Sequence, residues 1–257
     1  MIADHFSPKR FYLLTRNTIL INASKILIVT GVVASLVILV SGLSAFRHSG
    51  DQLHSGLYVF FLFVSGILWS SNAYGRLREN AIAGAWLTLP ASIFEKFASR
   101  LFLTSIGYVI ATGLIYFVIS VLSEGINQIL FDYSHPVFNP FATKVWVAVT
   151  VYLVIQSVFL TGSIFFRRFA FIKTLLFLSI LCLALVLFFL LSLKIILGGQ
   201  FGPLSDHGMR IAWNMLASDW LLQVKDTLVQ MAGTLFWGVL APFCWVLSYF
   251  RLREFEA

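Results

Sequence analysis

Residues 174–197, TLLFLSILCLALVLFFLLSLKIIL, hold 18 Leu, Ile, Val or Phe among 24 positions. At roughly −0.3 to −0.6 kcal/mol for each such residue near a helix centre, transfer into hydrocarbon is strongly favoured. Lys194, the one charge, stands close enough to the end to snorkel. As a helix the stretch is about 36 Å long, more than the roughly 30 Å of a bilayer core. It reads as a transmembrane helix, and it sets the terms for the rest of the chain.

Five further apolar runs are long enough to do the same, at residues 24–46, 55–73, 101–122, 145–166 and 231–250. The composition agrees: 59% of the 257 residues are hydrophobic, 11% are charged, and the mean hydropathy is +0.90. A closed barrel needs strands alternating outward apolar with inward polar residues, and these runs are apolar throughout. The expected fold is an all-α integral membrane protein, one transmembrane domain over 1–257 with six spans.

The basic residues predict its orientation. With both termini inside, the cytosolic segments hold 13 of the 18 Lys and Arg: four between Lys9 and Lys25, four between Arg76 and Arg100, Arg167, Arg168, Lys173, Arg251 and Arg253. The outer segments are slightly acidic, with Glu124 and Asp132 placed in the loop after the third span. This asymmetry implies N-terminus and C-terminus cytoplasmic. The net charge of +7 then reflects topology and attraction to anionic membrane lipids, and a nucleic-acid partner is not implied. Residues 1–23 are polar or amphipathic and the first apolar run is of full length, so that run itself is expected to direct insertion, without a cleaved signal.

Two segments decorate the spans. Within 1–23, Phe6, Lys9, Arg10, Leu13, Leu14, Arg16, Thr18 and Ile21 would give a helix one apolar and one basic side, an elbow lying along the inner membrane surface. Residues 198–230 follow Gly198 and Gly199 and carry Trp213 and Trp220 among polar residues. They predict short outer helices, re-entrant or interfacial, between spans 5 and 6.

The chain carries no GxxxxGK[ST], HExxH or GxSxG motif, so no phosphate-binding loop or familiar catalytic arrangement is expected. The five His are scattered, mostly in outer loops, and Cys182 and Cys244 fall inside spans as packing residues without metal-ligand neighbours. No metal site is expected. The span centres lack Asp, Glu, Lys, Arg and His, which disfavours an ion-coupled carrier. Energy for any work must then come from another subunit.

The cytosolic loop, 74–100, is the candidate port for that energy. Ser92 and Glu95 have the S-x-x-E spacing of a capping box, Pro90 ends the preceding segment, and Ile93, Phe97 and Leu101 recur at helical spacing into the third span. A continuous rod there would transmit force from loop to membrane.

Glu79, then LTLPAS at Leu87 to Ser92, then Glu95 and Lys96, resembles the intracellular loop of ABC type 2 transporter permeases. The layout of elbow, six spans and outer helices resembles that family over essentially the full chain. It departs at Ala81, Ile82 and Gly84, where the family has a Gly-Thr pair and a second acidic residue. The resemblance implies a permease subunit of an ABC exporter in a bacterial inner membrane. It also implies a coupling helix that docks on a separate cytosolic ATPase, two copies of which bind ATP and Mg, so that this chain needs no cofactor and is no enzyme. Glu79, Trp86, Leu87, Leu89, Pro90, Ala91, Ser92, Glu95 and Lys96 would lie at or beside that contact. A second copy of the chain would complete the path, and the small-residue stripe holding Gly31, Ala34, Ser35 and Gly42 is a candidate packing face. The apolar, Phe-rich interior suits hydrophobic, lipid-like or peptide cargo. The alternative is a non-transporting membrane scaffold that anchors a cytosolic or envelope complex through the same loop.

Overall fold

The computed structural model describes residues 6–47, 53–75, 91–166, 169–196, 233 and 235–256. All regular elements among them are helical: α1 Pro8–Phe46, α2 Leu53–Ser71, α3 Ile93–Thr104, α4 Ile106–Phe131, α5 Thr143–Phe165, α6 Ala170–Ile196 and α7 Leu240–Glu256. A π-helical turn, Leu235–Val239, leads into α7. Five stretches are long and apolar enough to cross a membrane: α1, α2, α3 with α4, α5, and Ala170–Ser192 of α6. The π turn and α7 occupy the place of the sixth expected span, whose first residues lie outside those described, as does the 198–230 segment.

Two expected boundaries are corrected. The elbow and first span are not separate helices, because α1 runs unbroken for 39 residues, about 58 Å at 1.5 Å per residue. Pro8 stands in its first turn, where the missing N–H removes no intrahelical bond, and no Gly or Pro follows until Gly31. Nothing between them stops the helix. The third span does not end at residue 122 either. α4 continues to Phe131, and Asp132 closes it in the left-handed conformation (φ 52°), one that Asp tolerates better than most residues.

Contacts along the helices define their directions. Ser7 meets Glu95, Phe11 meets Phe102, Ser41 meets Glu124 and Phe46 meets Phe131, so α1 runs parallel to α3 and α4 over its whole length. Phe63 of α2 meets Tyr152 of α5, and Thr161 of α5 meets Ser248 of α7. The starts of α1 and α3 thus share one end of the bundle, the base, with the ends of α2, α5 and α7, where Phe94 and Phe97 pack on Tyr249. The ends of α1 and α4 and the start of α2 form the far end.

α5 is the central helix, with α2, α6 and α7 packed around it. Sixty-one per cent of its apolar window is buried, against 6% for α6, whose side chains mostly face outward. Close packing on α5 depends on two glycines. Gly66 lets α2 lie against the Tyr152 and Tyr108 rings, and Gly162 receives Thr174 of α6. Val37, Tyr58, Leu62, Tyr116, Phe138, Val149 and Tyr152 form the core toward the far end. Tyr74, Phe97, Leu160, Ile164 and Leu252 form it at the base. Of the two cysteines only Cys244 is buried as expected of a packing residue; Cys182 is exposed on the outward face of α6.

Candidate functional site

The base of α3 is built as its sequence implies. Ser92 Oγ accepts from the Glu95 N–H at 3.2 Å, and Glu95 Oε2 accepts from the Ser92 N–H at 2.9 Å, a complete capping box. Glu95 also reaches the start of α1. Its Oε1 accepts from the Ser7 N–H at 2.6 Å and lies 3.5 Å from Arg10 Nε. Phe6 packs on Phe94, and Phe11 on both Phe6 and Phe102, so the first turns of α1 are strapped to α3. Ala91, Glu95 and Lys96 are all buried in this junction. Glu79, Trp86, Leu87, Leu89 and Pro90 lie outside the described residues. Ser92→Ala should lower stability by about 1 kcal/mol, the usual value of a helix N-cap. Hydrogen exchange should quicken at the first amides of α3 and stay unchanged in α5; uniform protection would mean that the cap is idle.

Between α3 and α4 the expected rod is broken at Ser105 (φ −106°, ψ −95°). Thr104 and Ser105 return their hydroxyls to carbonyls one turn back, which favours bending. Tyr152 Oη donates to the Thr104 carbonyl at 2.7 Å, and Gln156 Nε2 donates to Thr104 Oγ1 at 2.7 Å. Side chains of α5 thus take up polar groups at the bend, a known cause of helix kinks. Gln156 and Thr161 bond across helices, Thr112 bonds both to its own backbone and to Tyr58 of α2, and Ser163 and Asn72 bond to their own backbone.

The far end holds an arrangement not anticipated from the sequence. Glu124, read there as a loop residue, is on α4 and 4% exposed. Its Oε1 accepts from Ser41 Oγ of α1 at 2.6 Å, His54 Nε2 of α2 at 2.6 Å and Asn127 Nδ2 at 3.2 Å. Its Oε2 accepts from the main-chain N–H of His135 at 2.6 Å, with His135 Nδ1 at 3.4 Å. Asn127 Nδ2 also donates to Ser41 Oγ at 2.7 Å, Ser44 Oγ is 3.2 Å from His135 Nε2, and Tyr116 Oη is 3.4 Å from His54 Nδ1. The network assigns the donating proton to His54 Nε2 and to His135 Nδ1. One carboxylate therefore ties together α1, α2, α4 and the segment that follows α4.

Ser44, His135 and Glu124 stand in the order of a hydroxyl, imidazole and carboxylate relay. The shorter bond to Glu124 comes from the His135 main chain rather than its ring, so the carboxylate chiefly fastens the segment. Among the described residues, no three His, Cys, Asp or Glu side chains are arranged to hold a metal ion.

No family model, curated protein or solved structure matches this chain.

The small-residue stripe of α1 divides between two faces. Ser41 and Ala45 are fully buried, and Gly42 faces Asn127 and Phe131 of α4. Ala34 packs on the far-end core. Gly31 and Ser35 point outward, and Gly31 has nothing within 4 Å of where a Cβ would stand.

Proposed function

We propose that this chain is the membrane-spanning subunit of an ATP-driven exporter. It works as a homodimer with two copies of a separate ATPase, in a bacterial inner membrane with both termini cytoplasmic. The single observation that carries this reading is the mechanical line from base to far end. α3 begins with a closed capping box directly after the 76–90 segment, is strapped to α1 through Glu95, and passes through a bend held by α5 into α4. α4 in turn holds α1 and α2 at the far end through Glu124.

A partner that grips the segment before Ala91 and moves on binding ATP would displace α3 as a unit. The bend at Ser105 would let that displacement reach the far end as a change of angle, the kind of hinge motion by which helical transporters alternate. ATP and Mg belong to the partner on this reading, since the chain has no phosphate-binding loop. The cargo inferred is hydrophobic, lipid-like or peptide.

The test is affinity purification of the tagged chain in mild detergent, with mass spectrometry and an ATPase assay on the eluate. A stoichiometric P-loop ATPase is expected. It should be lost when residues 76–90 are replaced by a Gly-Ser linker of equal length and kept in the unaltered chain. Recovery of envelope proteins without ATP turnover would favour a scaffold that anchors a complex through the same loop.

A further inference from the structure

Two buried imidazoles share one carboxylate at the far end. His54 of α2 is 2% exposed and His135, on the segment after α4, is 3% exposed. Their ring centroids lie 6.3 Å apart, and Glu124 meets one ring with each of its oxygens. The groups that reach this carboxylate, namely the Ser41 and Asn127 side chains, both imidazoles and the His135 main chain, all come to it as donors. A protonated Glu124 would set one more donor among them, so the arrangement fits the ionised form. With both rings neutral these partners carry no charge, and the carboxylate then leaves a net negative charge in a buried site, which is costly.

The other side of each ring is equipped for a second proton. His54 Nδ1 is 3.4 Å from Tyr116 Oη, and His135 Nε2 is 3.2 Å from Ser44 Oγ. A hydroxyl donates or accepts by turning about its C–O bond, so either ring nitrogen can gain a hydrogen while no heavy atom moves. The product is an imidazolium beside a carboxylate, a neutral pair in place of a single charge. Among the other ionisable groups at this end, Tyr58 of α2 packs on Tyr116, and the Tyr133 ring stands edge-on to His135 at 5.2 Å. Arg47 after α1, Asp132 after α4 and Lys144 at the start of α5 are exposed, and α5 gives this core Val145 and Val149. Ser44 is half-buried, which offers a proton a route from the surface to His135.

We propose that Glu124, His54 and His135 form a proton-binding site that firms the far end of the bundle as the medium becomes more acidic. The two imidazoles titrate as a coupled pair around one carboxylate. His54 is the main holder, because its Nε2 is 2.6 Å from Glu124 Oε1, against 3.4 Å between His135 Nδ1 and Oε2. Histidine is the side chain whose charge ordinarily changes between pH 5 and 8. The unfolded chain holds no carboxylate against these rings, so the folded state binds the proton more readily. Stability is then gained as pH falls through that range and lost as pH rises. The tie that Glu124 makes among α1, α2, α4 and the following segment is thereby tightened by acid. The site stands independently of the exporter reading.

The test is the thermal midpoint of the full-length chain in mild detergent between pH 8 and pH 6, for the wild type, His54→Gln and His135→Gln. Glutamine keeps an amide N–H for Glu124 but takes up no proton, so His54→Gln should stay close to the wild type at pH 8. On acidification the wild-type midpoint should rise above that of His54→Gln. A tenfold gain in the folded-to-unfolded ratio corresponds to about 3 to 5 °C. Contributions common to both proteins, those of His5, His48 and His207 among them, cancel in this difference. His135→Gln keeps the main-chain donor and should lose less of the response. Tyr116→Phe leaves each bond to Glu124 in place and removes the partner of the second proton on His54, so it too should flatten the profile, and it serves where His54→Gln does not fold. Wild-type pH profiles in both His54→Gln and Tyr116→Phe would overturn the proposal. So would a wild-type midpoint that falls relative to His54→Gln on acidification, the sign expected if burial keeps both rings neutral.

Discussion

Glu124→Leu should be among the most damaging single substitutions in this chain, lowering stability by about 3 to 5 kcal/mol. The carboxylate is 4% exposed and accepts from Ser41, His54, Asn127 and the His135 main chain. Leucine fills similar volume but accepts nothing, so these donors from α1, α2, α4 and the following segment lose a partner in a buried site. An unsatisfied buried donor costs about 1 to 3 kcal/mol, and the remaining groups can re-pair only in part, as Asn127 with Ser41 already does. Glu124→Gln should fall between, since it keeps one acceptor oxygen but turns an amide donor toward other donors. At about 2 to 4 °C per kcal/mol, the midpoint of Glu124→Leu in detergent should fall by about 10 °C. Hydrogen exchange should rise at residues 133–138 and at the start of α2, and leave the α3 cap at the base protected. Wild-type midpoints for both variants would show that the network is incidental to the fold.

Much of the architecture was legible because long apolar runs impose it. An apolar run of 20 or more residues has few alternatives, and the runs at 55–73, 145–166 and 174–197 correspond closely to α2, α5 and α6. The capping box was legible for a local reason: Ser92 and Glu95 are three residues apart and need only each other. The Glu124 cluster needs three separate segments. Its partner His54 is 70 residues away and Ser41 is 83, and no local pattern announces such a meeting.

A signal was nevertheless present. Past Leu122 the apolar residues Ile126, Ile129 and Leu130 continue, while Tyr116, Ser120, Ser123, Glu124 and Asn127 repeat at helical spacing on the other side. In an apolar helix a polar stripe of that period marks an inward face, not the start of a loop. The bend at Ser105 was hidden more deeply. Thr104 and Ser105 are compatible with a straight helix, and the groups that hold the bend, Tyr152 on the Thr104 carbonyl and Gln156 on the Thr104 hydroxyl, come from another helix. The continuity of α1 was readable from the absence of any breaker between Pro8 and Gly31. The change from amphipathic to apolar character along it does not end the helix.

Two glycine substitutions make a matched pair that separates packing within one copy from packing between copies. In Gly66→Ala the new Cβ would stand 2.4 Å from Tyr152 Cε2 and 2.8 Å from Tyr108 Cε1. Neither ring can retreat cheaply. Tyr152 is fully buried with its hydroxyl on the Thr104 carbonyl, and Tyr108 is held by Ser65 Oγ at 2.7 Å. The helices must part or the bend must lose its support, so a loss of about 3 kcal/mol is expected, at the upper end of overpacking. Exchange should rise around 104–108 as well as in α2. Gly31→Ala meets open space within one copy. By helix propensity alone it should be neutral or stabilising by up to about 1 kcal/mol. If a second copy packs on that face of α1, the same methyl group instead obstructs close approach, and the dimer should weaken on dilution while the monomer's midpoint holds. Measuring both variants by thermal midpoint and by mass as a function of concentration separates the cases. A tolerated Gly66→Ala would sink the packing argument, and a Gly31→Ala dimer as tight as the wild type would remove Gly31 from the proposed interface.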